Sequence, residues 1–319
     1  MCLERRRSFC GCSCSYIHLT ALLHFTQKPN MHCANVTDLE MRNSAYVIVF
    51  GSVIALGLPL NAVSLWILLR HHSLKSPSAV FMVNLAISDL LLVISLPMRV
   101  YFYAIGTWHL GSMACIWITM LFRNNIRSSS IFITFISVDR LLAVVYPLRS
   151  RHLRTSTNAW KGAGLIWLIL LVVNVPESVD FSRGAKQYNV SSCFEFRPAE
   201  VDERMHNTKI AYFQLVLLFT MLAVNIVSTA LVSWTLQRHL NDSAKVNNKV
   251  NVMLLFAMNL IMFTVFFLPV SLVVFFQCWR SVLNCLASVN CCLDPLLYYF
   301  SFDGFWRRKE DADMSLEPK

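Results

Sequence analysis

Charge is what this sequence has least of. Only 14% of its 319 residues are Asp, Glu, Lys or Arg, while 56% are hydrophobic. A soluble domain of this length hides its core behind a charged surface, and too little charge is present to build one. Glycine is scarce as well, at nine residues, and no stretch repeats another. Both absences argue against a transporter made of two related halves with broken helices. No His-Glu-x-x-His is present, so the helical zinc-protease signature is missing and no enzyme activity is expected. The formal net charge of +10 would suit nucleic acid. In a chain this apolar it is instead expected in loops on one face of a membrane, and no nucleic-acid partner is expected.

What is present is a series of long apolar runs. They lie at about 44–69, 80–104, 115–147, 159–177, 207–237, 251–276 and 282–300. Runs of this length read as spanning segments. Lipid offers no partner for backbone polar groups, so each is expected to be helical. The fold class is an all-α membrane protein, a bundle of seven transmembrane helices. Phe302-Asp303-Gly304-Phe305-Trp306-Arg307-Arg308-Lys309 adds a short amphipathic helix on the inner leaflet.

The chain divides into an N-terminal segment (1–43), a helical membrane domain (44–301) and a tail (302–319). Arg5-Arg6-Arg7 and the closely spaced Cys10, Cys12 and Cys14 set residues 1–30 apart as an upstream extension, with translation expected to start at Met31. Bases such as Arg70, Arg149, Arg151, Arg154, Lys161, Arg238 and Arg307 all fall on one side of the spans. Glu177, Asp180, Glu195, Glu200, Asp202 and Glu203 are assigned to the other. The bias toward basic inner loops places the amino terminus outside and the carboxyl terminus in the cytoplasm. The sequons at Asn35 and Asn189 then both face outward, as glycosylation requires.

The stretch from Cys115 to Pro147 organises the rest. From Cys115 to Arg140 a helix rises ~38 Å at about 1.5 Å per residue, more than the ~30 Å hydrocarbon core. One end can therefore be tethered outside while Asp139-Arg140 faces the cytosol. Intramembrane charge is costly and marks function. Arg99, Arg123 and Arg127 fall in the outer half, where few carboxylates are expected. Guanidinium groups without counter-ions suit an anion, and phosphate matches their planar donor fork. Hydrogen bonding to backbone or to Asn124 and Asn125 is the competing reading for Arg123 and Arg127. Tyr103 and Lys209 join the candidate ligand contacts. For an anion with an apolar tail, Tyr101, Phe102, Tyr103, Tyr212 and Phe213 are candidates for lining its slot, with anchoring at the membrane interface the competing reading. Asn61, alone in an apolar span, is expected to bond to another helix.

Taken together, Gly57-Leu58-Pro59-Leu60-Asn61, Leu85-Ala86-Ile87-Ser88-Asp89, Asp139-Arg140, Trp167, Phe266-Phe267-Leu268-Pro269 and Asp294-Pro295-Leu296-Leu297-Tyr298 resemble the rhodopsin-type (class A) G-protein-coupled receptors. Ser95-Leu96-Pro97-Met98-Arg99 and Tyr146-Pro147-Leu148-Arg149-Ser150-Arg151-His152-Leu153-Arg154 resemble the branch of lysophosphatidic acid and purinoceptor-like receptors.

The resemblance implies a plasma-membrane receptor for an anionic lysophospholipid that signals through heterotrimeric G proteins, with Arg99 on the phosphate. A receptor for another anion such as a nucleotide, or a binding protein that does not signal, is the alternative. It implies a Cys115–Cys193 disulfide and a second pairing of Cys33 with Cys278 or Cys285. Asp89, Asn125, Ser129, Asn290 and Asp294 are implied to hold a structural sodium ion, the sole cofactor expected; a water-bridged polar cluster is the other reading. Asp139, Arg140, Phe267 and Tyr298 are implied to form the G-protein switch, with Asp139 holding Arg140 at rest. The chain departs from the family at Leu141, Leu222 and Ser228, where Tyr, Pro and Tyr are usual, and at Phe267 in place of Trp. Pro269 and Pro295 are also unusually close in sequence, so a segment near 276–282 is expected to be missing or the sixth and seventh helices to end early.

Overall fold

The computed structural model describes residues 36–70, 74, 76–187, 193–194, 205–238, 246–272 and 280–299, and every regular element among them is helical. The helices are α1 (Val36–Arg70), α2 (Pro77–Ile105), α3 (Gly111–Val145), α4 (Ser156–Gln187) and α5 (Met205–Arg238). Then come α6, which opens with Val246–Ile261, and α7, which opens with Arg280–Ser288 and resumes over 290–299. Seven are long and apolar enough to cross a membrane, which bears out the seven-span reading. The amphipathic helix after 301, residues 1–30, both sequons, Cys33 and Cys278 lie outside the described residues, as does most of the α6–α7 connection.

Two differences from the sequence expectation bear on the site. The apolar run predicts that the fourth helix ends near Glu177, but α4 continues to Gln187 with Pro176 inside it. Proline removes one donor and crowds the preceding turn, yet a lipid-embedded backbone has no better state than helix. Glu177 is thereby moved out of the loop and into a span. In α6 the expected kink at Pro269 takes the form of a π-helical turn over Met262–Phe267, followed by Leu268–Ser271. The Leu268 N–H reaches back to the Phe263 carbonyl, so one extra residue is absorbed just before the proline.

α2 is the most enclosed span; α1, α4 and α5 turn most of their surface outward. Leu168, Leu171, Val172 and Val175 of α4 are exposed in the way lipid contact demands. Buried amides cross-link the bundle. Asn61 Nδ2 donates to the Cys291 carbonyl of α7 at 2.7 Å, as its isolation in α1 predicts. Trp167 Nε1 of α4 donates to Asn84 Oδ1 of α2 at 2.9 Å. At Gly57 a Cβ would stand 3.0 Å from Cys291 Sγ and 3.3 Å from Val93, so α1 and α7 meet where only glycine leaves room. One apolar core gathers Phe132, Ile133, Ile136, Phe263 and Phe267. A second, at the disulfide end, gathers Phe50, Leu96, Phe102, Tyr103 and Phe122.

Candidate functional site

The Cys115–Cys193 disulfide is formed, as the resemblance implied, and it ties the start of α3 to residues 193–194. Its effect on the interior comes through the next residue. Phe194 packs edge-on against Phe102 and Trp108, with ring centroids 5.2 and 5.4 Å away. The Phe194 ring also lies 4.4 Å from the Arg99 guanidinium carbon, and Phe122 of α3 lies 4.1 Å from it. Arg99 is 3% exposed. Among the described residues no carboxylate is within ion-pair distance of it, and its Nε is buried without a hydrogen-bond partner. The two rings compensate part of that charge, by roughly 0.5–2 kcal/mol each. Tyr103, one turn further along α2, is buried against Tyr46, Phe50 and Phe102.

Arg123 and Arg127 are not free of carboxylates, contrary to the sequence expectation. Glu177, carried inward by the long α4, meets both. Arg127 Nη2 donates to Glu177 Oε1 at 2.5 Å, Arg127 Nη1 to Asn174 Oδ1 at 3.2 Å, and Gln214 of α5 to Glu177 Oε1 at 2.9 Å. Arg127 is therefore committed to Glu177 and Asn174 in the ligand-free protein. Arg123 stands 3.6 Å from Glu177 Oε2, beyond hydrogen-bond length, with 41% of its side chain exposed. The signal that could have located this cluster is short. Asn174 and Glu177, three apart on a helix, share a face.

Of the other proposed contacts, Lys209 falls in α5, but its side chain lies outside the described residues. Tyr212 and Phe213 are more than half exposed on the outer surface and line no interior slot.

Midway along the bundle the five expected polar residues do converge in part. Asn125 Nδ2 donates to Asp89 Oδ1 at 2.9 Å and to Ser129 Oγ at 3.2 Å. Ser88 and Ser128, not anticipated, extend the cluster. Asp89 Oδ2, both side-chain atoms Oδ1 and Nδ2 of Asn290, both oxygens of Asp294 and the Tyr298 hydroxyl are buried without a hydrogen-bond partner. The carboxylate and amide oxygens in this set are of the kind that suits a hard cation.

Further along, Ser137 of α3 donates to Asn225 Oδ1 of α5 at 2.6 Å and accepts from Asn259 of α6 at 2.5 Å. Asn225 also donates to Thr134 Oγ1 at 3.0 Å. Next to this latch Asp139 does not hold Arg140. It receives Arg154 Nε at 2.7 Å and Nη2 at 3.3 Å, plus the hydroxyl of Ser78. Arg154 comes from the turn that joins α3 to α4, held there by its N–H to the Ser150 carbonyl. Arg140 has its Nε buried without a partner. Neighbouring residues on a helix point about 100° apart, so Asp139 and Arg140 face different elements. Phe267 is buried within the π turn against Phe263, at 5.4 Å between centroids.

The 7 transmembrane receptor (rhodopsin family) profile matches residues 60–298 of the chain. Among curated proteins, lysophosphatidic acid receptor 6 of Gallus gallus is 31% identical over 84% of this chain and 93% of its own length. Lysophosphatidic acid receptor 5 of Mus musculus is 32% identical over 88% of this chain and 81% of its own. A purinoceptor of Gallus gallus is also similar, at 27% identity over 82% and 77%.

Proposed function

The chain belongs to the rhodopsin family of seven-transmembrane receptors, and from that premise we propose that it binds an anionic lysophospholipid of the lysophosphatidic acid type and signals through heterotrimeric G proteins. The observation that carries the reading is Arg99. A buried guanidinium with no carboxylate partner among the described residues, sandwiched by Phe122 and Phe194, is a group that an incoming anion would stabilise. The similarity to lysophosphatidic acid receptors supports the same ligand class. The aromatic wall formed by Phe102, Tyr103, Phe122 and Phe194 suits a lipid better than a polar nucleoside.

In this reading the receptor sits in the plasma membrane with its amino terminus outside, glycosylated at Asn35 and Asn189, and Asp139 and Arg140 face the cytosol. The test is G-protein dissociation in cells expressing the chain, with lysophosphatidic acid and nucleoside diphosphates as parallel agonists. A dose-dependent response to the lipid alone is the expected result. A response to the nucleotide alone would overturn the ligand class. Lipid binding without dissociation would make the chain a non-signalling binder.

A sodium ion belongs to the same proposal. Asp89, Asn290 and Asp294 would hold it, with Asn125 and Ser129 completing the oxygen set, and it would supply the positive charge that these acceptors lack. Thermal unfolding of purified receptor should occur several degrees higher in sodium chloride than in equimolar choline chloride. Asp89→Asn should erase that difference. Equal midpoints in both salts for the unaltered protein would leave the cluster as hydrogen-bonded polar packing.

A further inference from the structure

The Glu177 cluster has a division of labour that the ligand reading does not explain. Oε1 is saturated: it accepts from Arg127 of α3 and Gln214 of α5. Oε2 is buried and accepts no hydrogen bond. It faces Arg123, whose Nη1 stands 3.6 Å away. Arg123 follows Phe122, whose ring lies 4.1 Å from the Arg99 guanidinium carbon. Among the described residues three guanidinium groups thus stand near one carboxylate, which reaches Arg127 and Arg123 unequally. Arg127 is locked, and Arg123 is loosely restrained.

We infer that Glu177 is a built-in competitor of the ligand's phosphate for Arg123. This rests on the anionic-lysophospholipid reading above and adds a specificity-determining residue to it. In the free receptor, Oε2 occupies the electrostatic place that a phosphate oxygen takes when ligand arrives. On binding, the phosphate bridges Arg99 and Arg123. Glu177 then relies on Arg127 and Gln214, to which it is already bonded, so its release of Arg123 strands no charge. No bond forms or breaks covalently; one anion replaces another beside Arg123. Because the competitor is itself a charge, it opposes a dianion more than a monoanion. A phosphomonoester carries about −1.5 to −2 near neutral pH, and a phosphodiester carries one negative charge.

The experiment uses cells expressing the full chain and two lipids with the same acyl chain, lysophosphatidic acid and its phosphate methyl ester. Surface level is measured by antibody for each variant. Glu177→Gln is expected to raise the potency of the monoester about tenfold, and that of the methyl ester by less. Arg127→Gln frees Glu177 to bind Arg123 fully and is expected to lower potency, again more for the monoester. The double variant Arg127→Gln/Glu177→Gln removes both charges and should return potency to near the unaltered value, as a coupled pair requires. Should Glu177→Gln alone not reach the surface, Arg127→Gln against the double variant carries the same test, because potency must recover when the carboxylate goes. Unchanged potency in Glu177→Gln, or an equal loss for both lipids, overturns the inference while leaving the receptor reading intact. An unaltered receptor silent to both lipids overturns the reading, and the inference with it.

Discussion

Replacing Arg99 by methionine should lower the potency of a lysophosphatidic-acid-type agonist by about a hundredfold or more while raising the thermal stability of the ligand-free receptor. The two effects have one cause. Truncating one partner of a buried charge pair costs about 2–5 kcal/mol of binding, and each 1.4 kcal/mol is a tenfold change in affinity. In the free protein the same guanidinium is an expense, because among the described residues it is buried with two aromatic rings and no carboxylate to compensate it. Methionine fills most of the space, keeps contact with the rings of Phe122 and Phe194, and removes the charge. Arg99→Lys should be intermediate, since it retains charge over the rings but loses the planar fork. The measurements are agonist dose–response and the unfolding midpoint of purified receptor. A fall in both stability and potency would reduce Arg99 to a packing residue.

Arg154→Ala should raise agonist-free signalling. Asp139 is 5% exposed and holds three hydrogen bonds, two of them from Arg154. Without Arg154 the carboxylate keeps only the Ser78 hydroxyl. Removing one partner of a buried ion pair costs about 3–5 kcal/mol. Arg154 is 24% exposed, so water screens part of that loss and about 1–3 kcal/mol is the expected range. The loss falls on the resting arrangement, in which α3, its following turn and α2 are joined through this one carboxylate. A resting state weakened by 1.4 kcal/mol relative to the active one raises the active fraction about tenfold while that fraction is small. GTP-analogue exchange on membranes without agonist reads this directly. Asp139→Asn should move in the same direction, whereas Arg140→Ala should abolish exchange with agonist present. A fall in basal exchange in Arg154→Ala at matched surface level would mean that the pair does not restrain the resting state.

Much of this is legible in the residues, and the pattern of what is not has a physical basis. Span number follows from apolar length, which lipid enforces without reference to any neighbour. Asn61 can be expected to cross-link because an amide in hydrocarbon has few other choices. The partners of charged groups are less legible. Asp139 and Arg140 are adjacent in sequence, but the helix turns their side chains apart and leaves Arg154 to supply the pair. Glu177 reads as a loop residue because Pro176 looks like a helix end, and only the continued α4 carries it to Arg127. Helix ends and side-chain directions are set by packing between spans. The Ser137–Asn225–Asn259 latch is invisible in the sequence for that reason: its members lie on three helices, and none belongs to a motif of its own.

The disulfide acquires a second meaning from its neighbour. Cys193 is fixed to α3, and Phe194 rides with it onto Arg99. Half of the aromatic cage around that guanidinium is thus held by a covalent bond that only an oxidising compartment forms. A chain with Cys115 reduced would keep its seven apolar spans and lose the covalent bond that fixes Phe194 over Arg99. On the proposed reading of Arg99, oxidation of this pair would be a requirement for ligand affinity separate from insertion of the spans.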